Sequence, residues 1–372
     1  MQQDQPHELT RARWLLWFLL GVSVALSLQT LQAMATGGWD GLVNVGEDSS
    51  LRPFIEQELG RVATTPGGHD GQFSLVLALD PFGRTGTHRL FDHDAYRYRR
   101  ILYPLLSGGF GLVHGRAVLA GLVLVAAFGV GLATASVARL AGLLGARLWV
   151  VFGVLANPGV WMSVQLLTSD TLALGLSLTG VVLWLERRRA WALVIFALAL
   201  LTKDQYLLVP LAIAGWAWSR GLRRQAALVA VVPALPLIAW ATSLDLILGG
   251  GFATRSNVAL LGVLDSARVW TETLPAEQAL IGVTIAGLCI AAVAPFRAGK
   301  LFRWLAWPWV LLALTTSTWV WDLGNNAARV LTPLWVLGLL ALSVAIETPR
   351  CARVPRDLQT RGASTPYQGR IP

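Results

Sequence analysis

The sequence has too few charged residues for a water-soluble protein. They make up 14% of its 372 residues, whereas soluble domains average about 25%. Hydrophobic residues make up 55%, and apolar runs of membrane-spanning length recur along the chain. These features exclude an ordinary soluble domain and predict an all-α polytopic membrane protein.

Cysteine and lysine are also scarce. The two cysteines, Cys289 in an apolar run and Cys351 near the C-terminus, provide neither a disulfide framework nor a thiolate metal site. There are two lysines against 28 arginines. The motifs GxxxxGK[ST], HExxH and GxSxG are missing, which argues against nucleotide hydrolysis. The net charge is +9. In a membrane protein the positions of basic residues set the orientation, so the positive charge does not indicate a nucleic-acid partner.

The apolar runs predict about ten transmembrane helices. Residues 1–13 form a polar N-terminal segment, 14–348 the transmembrane domain, and 349–372 a Pro- and Arg-rich tail expected to be disordered. The predicted spans are 14–35, 104–138 with a break near 108–116, 147–163, 166–185, 190–203, 205–219, 225–243, 277–295, 304–320 and 329–346. Ala33-Met34-Ala35 could be a signal-peptidase site, but we favour an uncleaved first helix because the later runs then complete a bundle.

The charges predict an orientation. Clusters of arginine, such as Arg187–Arg189 and Arg220–Arg224, fall on alternate connections, so those connections and both termini are assigned to the cytoplasm. With this topology the cytoplasmic side receives only five of the 21 acidic residues: Asp4, Glu8, Glu186, Glu347 and Asp357. We therefore expect the function to reside on the outer face.

The first outer loop, residues 36–103, is long, charge-dense and expected to be partly helical. Loops of this length are usually functional. Within it, Asp70 lies between glycines in Gly67-Gly68-His69-Asp70-Gly71-Gln72. A carboxylate held there could take a proton from a hydroxyl nucleophile. The alternative is an ordinary surface turn, in which Asp-Gly is common.

Several basic residues lie at predicted outer helix ends. Arg97, Arg99 and Arg100 precede the second span in a Tyr- and Arg-rich stretch, where they are either interfacial anchors or a cradle for phosphate. Lys203 is either a snorkelling residue paired with Asp204 or a point charge for a leaving phosphate. Arg329 occupies the corresponding outer start of the last span.

Other polar residues are candidates for supporting roles. Asp170 at a helix start is either a dipole-stabilised acid or part of a site, and His69, Gln72 and Asp80 accompany Asp70 in the first loop. The cluster Asp92-His93-Asp94 could bind a metal, but no fixed ligand spacing supports this. A solvated turn is favoured, and no metal ligand is assigned.

These motifs together resemble the GT-C superfamily of polytopic glycosyltransferases, nearest to bacterial proteins of cell-surface glycopolymer formation. The matching elements are Asp70-Gly71-Gln72-Phe73, Ala78-Leu79-Asp80-Pro81, Arg97–Pro104, Thr168-Ser169-Asp170, Leu201-Thr202-Lys203 before Pro210, and Arg329–Pro333. The superfamily often carries paired acids in this loop. Here the only adjacent pair is Glu47-Asp48, upstream of the motif.

The resemblance implies an inverting transferase in the bacterial cytoplasmic membrane, with its active site on the outer face. The donor would be a polyprenyl-phosphate-linked sugar, and the partners membrane lipid and a glycan or lipid-linked acceptor. Asp70 would be the general base, and Arg97, Arg99, Arg100, Lys203 and Arg329 would bind the donor phosphate. No cofactor is assigned, and a need for a divalent metal is left open.

Two other functions fit the same residues. A glycolipid transporter or flippase would use the basic groups for binding alone, although charges in the middle of spans would be expected of it. A catalytically inert assembly subunit for a surface polysaccharide is the third possibility.

Overall fold

The computed structural model describes residues 11–248 and 261–347, which are mainly helical and contain very little strand. The helices are α1 (Arg11–Ala35), α2 (Arg52–Leu59), α3 (Asp70–Leu79), α4 (Asp94–Tyr98), α5 (Leu102–Ser107), α6 (Arg116–Leu144), α7 (Phe152–Leu155), α8 (Pro158–Gln165), α9 (Asp170–Leu185), α10 (Arg189–Thr202), α11 (Leu208–Trp218), α12 (Arg223–Val231), α13 (Ala234–Leu248), α14 (Leu261–Ala267), α15 (Pro275–Ala298), α16 (Lys300–Thr315), α17 (Thr318–Trp321), α18 (Gly324–Val330) and α19 (Thr332–Glu347). Two short strands, β1 (Val45–Gly46) and β2 (Thr64–Thr65), pair in parallel.

Four helices are long and apolar enough to cross a membrane: Ala12–Ala35, Arg116–Leu144, Arg223–Leu248 and Pro275–Ala298. The number rises to six if each of two bent pairs, α7 with its preceding turn and α8, and α18 with α19, is one span. The all-helical membrane class is therefore supported, but about ten spans are not shown. Helix α9 explains part of the difference, since its 16 residues extend only about 24 Å, less than the roughly 30 Å of a hydrocarbon core.

The helices pack in two groups, one centred on α6 and one on α15. Helix α1 lies along α6, α6 along α9, and α9 along α10, while α15 packs on α18 and α19. Large apolar side chains on α1, including Leu16, Leu19 and Leu31, remain exposed. An exposed apolar face of this extent is suited to lipid contact.

The first loop is a folded element with its own apolar core. Leu42, Val45 and Ile55 are fully buried with Leu75 of α3, and this cluster continues onto Leu122 of α6. Burial of large aliphatic side chains contributes about 1.5–3 kcal/mol each. The loop is thus seated on one end of the helix bundle, which fixes the position of α3.

Charged residues collect at two opposite ends of the bundle. At one end, Arg139 Nε lies 2.6 Å from Glu186 Oε1, and Arg147 pairs with Glu347. At the other end of α9 is Asp170. Residues 1–10, 249–260 and the predicted tail lie outside the described residues.

Cysteine labelling in intact cells tests the orientation. After replacement of Cys289 and Cys351 by serine, we expect Arg84→Cys in the first loop to react with a membrane-impermeant reagent. We expect Arg188→Cys, at the opposite end, to react only after the cells are permeabilised. Both side chains are exposed, so access through protein does not limit labelling. The reverse pattern would contradict the assigned topology.

Candidate functional site

Asp70 is held at the first position of α3 by close backbone packing. A side chain at Gly71 would place its Cβ 2.6 Å from the carbonyl oxygen of Val43 and 2.7 Å from that of Leu166. Only glycine fits this position. The backbone N–H of His69 donates to the Asn44 carbonyl at 2.8 Å. The carboxylate that follows therefore has a fixed location.

Two arginines from distant parts of the chain hold the Asp70 carboxylate. Arg97 Nη1 of α4 lies 2.7 Å from Oδ1, and Arg329 Nη2 of α18 lies 2.6 Å from Oδ2. Burial alone would raise the pKa of Asp70, but the charges of Arg329 and Arg97 outweigh it and hold the pKa well below its usual value. The carboxyl is thus ionised at neutral pH.

A second, more deeply buried ion pair lies beside the first. Lys203 pairs with Asp170 Oδ1, and both side chains are at most 5% exposed. Thr168 donates to Asp170 Oδ2 at 2.8 Å. Arg329 Nε lies 3.7 Å from the same Oδ2, which connects the two ion pairs. The alternative that Lys203 pairs with its sequence neighbour Asp204 is wrong, because Lys203 turns into the bundle and reaches α9 instead.

Asp204 contacts Arg99 and Arg100, the other two first-loop arginines predicted to bind phosphate, but only loosely. Its oxygens lie 3.7 Å from Arg99 Nη1 and 3.9 Å from Arg100 Nε, beyond hydrogen-bond distance. Arg100 also donates to the Tyr96 hydroxyl and lies over its ring, with 4.2 Å between guanidinium carbon and ring centroid. Within the described residues, the buried Arg100 Nε and the Nε and Nη1 of Arg329 have no hydrogen-bond partner.

We call these five cations and their acids the charge cluster: Arg97, Arg99, Arg100, Lys203, Arg329, Asp70, Asp92, Asp170 and Asp204. All five predicted phosphate-binding residues belong to it, together with Asp70 and Asp170. A guanidinium with unused, buried N–H groups is a ready partner for an anion, and phosphate oxygens suit its planar fork. The arrangement is therefore able to bind a phosphate group next to a carboxylate.

The remaining predicted residues lie around the charge cluster in different ways. His69 Nε2 is 3.3 Å from Asn325 Nδ2, and burial, reinforced by the Arg329 charge, lowers the pKa of His69. Gln72 Oε1 accepts from the Gly46 N–H at 3.3 Å, tying α3 to β1.

Asp80 lies outside the charge cluster. It follows the last residue of α3, about 15 Å from Asp70 along the helix axis. Its carboxylate accepts from Thr85 and Thr87 hydroxyls at 2.5 and 2.9 Å and from the backbone N–H of Arg84 at 2.8 Å. These contacts stabilise the turn that follows α3. A role for Asp80 in support of Asp70 stays a prediction.

Sequence reasoning missed the contributions of Asp92 and Phe73. Asp92 accepts from Arg97 Nε and Nη2 at 3.1 and 3.0 Å, and the Arg97 guanidinium lies 3.8 Å from the Phe73 ring centroid. Phe73 lies three residues after Asp70, and this spacing predicts that the two side chains share one face of a helix. Within residues 11–248 and 261–347, no three His, Cys, Asp or Glu side chains are placed to hold a metal ion.

Comparison with known proteins identifies no similar protein. No protein-family model matches the chain, and neither a curated protein nor a solved structure matches it. The likeness to polyprenyl-phosphate-dependent glycosyltransferases therefore rests on the sequence motifs. The charge cluster is therefore the feature of this structure that bears most directly on function.

The buried pair Lys203–Asp170 makes a prediction about stability. Lys203→Met should lower the free energy of unfolding by about 3 kcal/mol, because the buried Asp170 carboxylate loses its direct partner and keeps only the more distant Arg329. Adding Asp170→Leu should restore much of this loss, which unfolding of the purified variants in detergent would measure. The control Arg268→Gln breaks a pair whose side chains are 83% and 51% exposed and should change stability by less than about 0.5 kcal/mol. If the double variant is as unstable as the sum of its single variants, the pairing is contradicted.

Proposed function

We propose that the protein is an integral membrane glycosyltransferase that uses a polyprenyl-phosphate-linked sugar. The observation that carries the proposal is the charge cluster at one end of an apolar helix bundle. In it, Asp70 contacts Arg329, whose buried Nε and Nη1 have no hydrogen-bond partner among the described residues. A lipid phosphate suits this position, since its chain lies in the bilayer while its phosphate reaches the helix ends.

The proposed reaction moves one sugar from phosphate to a hydroxyl group. Asp70 takes the proton of the acceptor hydroxyl, and the hydroxyl oxygen forms a bond to the anomeric carbon. The bond from the anomeric carbon to the phosphate oxygen breaks, and its electron pair leaves with the polyprenyl phosphate. Arg329, Arg100 and Arg99 offset the charge that develops on the leaving phosphate. Attack from the face opposite the phosphate gives inversion.

The low pKa of Asp70 has a consequence for this reaction. A carboxylate paired with two guanidinium groups is a weak base. A bound phosphate brings a second negative charge, competes for Arg97 and Arg329, and thereby raises the pKa of Asp70. Proton transfer to Asp70 is then favoured only when the donor is present.

The proposed setting is the bacterial cytoplasmic membrane, with about ten spans, both termini in the cytoplasm and the charge cluster on the outer face. Its partners there are membrane lipid, the polyprenyl-phosphate sugar and a glycan or lipid-linked acceptor. A glycolipid transporter would place charges in the middle of its spans. Asp170 and Lys203 instead adjoin the ends of α9 and α10, which supports the enzyme over the transporter.

Replacement of Asp70 tests the proposed chemistry. Asp70→Asn should reduce sugar transfer by roughly a hundredfold or more, because the positioned proton acceptor is lost. Donor binding should persist, since the amide leaves the cations in place and removes a repelling charge. Turnover and binding would be measured on purified protein in liposomes with synthetic polyprenyl-phosphate sugars.

Glu186→Gln is the matched control for that variant. It also converts a partly buried, arginine-paired carboxylate to an amide, but at the opposite end of the bundle. It should retain transfer. Normal turnover by Asp70→Asn would remove Asp70 from the mechanism, and movement of a glycolipid across the membrane without turnover by the native protein would favour the transporter.

A further inference from the structure

A groove on the first loop adjoins the charge cluster and differs from it in chemistry. It has a volume of about 380 Å³, within the roughly 300–1,000 Å³ range of small-molecule sites. The first-loop segments around β1, β2 and α3 form its walls. The side chains that matter to its chemistry are those of Asp48, Ser49, Ser50, Gln72, Phe73 and Asp92.

The groove is rich in hydrogen-bond acceptors. Asp48 and Asp92 are exposed there, and an ionised carboxylate only accepts hydrogen bonds. Both oxygens of Asp92 already accept from Arg97, yet a carboxylate has about four acceptor positions. A phosphate group would be repelled by these acids, whereas hydroxyl groups would donate to them. The groove therefore suits a neutral, hydroxyl-rich ligand.

Apolar surface accompanies these acceptors. Phe73 and Phe91 meet edge to face, with 5.6 Å between ring centroids, and both contribute to the groove wall. A sugar ring combines hydroxyl groups with an apolar C–H face, so it can use both kinds of surface. A free inorganic cation would use only the carboxylates.

Arg97 joins the groove to Asp70. One side of its guanidinium pairs with Asp92 on the groove wall at 3.0 Å, and Nη1 contacts Asp70 at 2.7 Å. Phe73, under the same guanidinium, lies on the helical face of Asp70. The Arg97 guanidinium thus lies between the Asp92 carboxylate on the groove wall and the Asp70 carboxylate.

We propose that this groove binds the penultimate sugar of a neutral glycan, so that the terminal sugar extends past the Arg97 guanidinium to Asp70 and supplies the acceptor hydroxyl. The inference rests on the proposed function and deepens it, because it assigns the two substrates to two neighbouring surfaces. The anionic donor binds at the arginines of the charge cluster. The uncharged acceptor binds at the acidic groove, and the two meet at Asp70.

Gly67 allows a steric test of the groove. It lines the groove, and a Cβ added there meets nothing within 4 Å, so Gly67→Trp should fold and obstruct the groove. Binding of neutral trisaccharides of glucose, mannose and galactose to the full-length protein would be measured by saturation-transfer nuclear magnetic resonance. We expect at least one to bind, and Gly67→Trp and Asp48→Asn each to weaken its binding by about tenfold or more.

The control is Glu47→Gln, which removes an exposed acid next to the groove in sequence but outside its wall. It should bind the trisaccharide normally. Absence of binding by every trisaccharide at millimolar concentration, or equal binding by the native protein and Gly67→Trp, overturns the assignment. So does loss of polyprenyl-phosphate binding in Gly67→Trp, because the groove would then hold the donor. Sugar binding in the groove without any donor turnover would remove the proposed transfer and leave the glycan site standing.

Discussion

The arrangement of this protein depends on the pairing of Asp70 with Arg329. The two residues are 259 positions apart, and their contact joins the first loop to α18. Arg329 is only 6% exposed, so its charge is costly to bury without a partner. Asp170 and Lys203 form a second pair beside it, and Arg329 lies near both acids. Because each charge is needed by its neighbours, the first loop, α9, α10 and α18 have to assemble together.

On either side of this ion pair lie two surfaces of different charge, one basic and one acidic. On one side, arginines retain buried N–H groups without hydrogen-bond partners among the described residues, which favours an anion. On the other, the first-loop groove presents carboxylates and aromatic rings. Arg97 contacts Asp70, Asp92 and Phe73 and so belongs to both surfaces. A transferase needs a site for each substrate with a proton acceptor between them, and the proposed function gives that role to Asp70.

The sequence indicated the helical membrane class, and its motifs singled out most members of the charge cluster. Apolar runs are local signals, and so are Asp70, Arg97 and Lys203 at the ends of such runs. The ion-pair partners of these residues could not be predicted from such local signals. Lys203 pairs with Asp170 rather than adjacent Asp204, and Asp80 binds its own turn, because partner choice depends on helix packing across long separations. The prediction of about ten spans goes beyond the four to six that helix length and composition support, because it includes short apolar helices such as α9 and α10.

Direct observation of the donor would test the central claim, that the charge cluster binds a lipid phosphate beside Asp70. The measurement is a cryo-electron microscopy structure of the full chain in a lipid nanodisc with a non-hydrolysable polyprenyl-phosphonate sugar. We predict a phosphonate oxygen within about 2.7–3.2 Å of Nη1 of Arg329 or Nε of Arg100, with the anomeric carbon facing Asp70. Phosphonate bound elsewhere, with the Arg97–Asp70–Arg329 contacts unchanged, would contradict the claim.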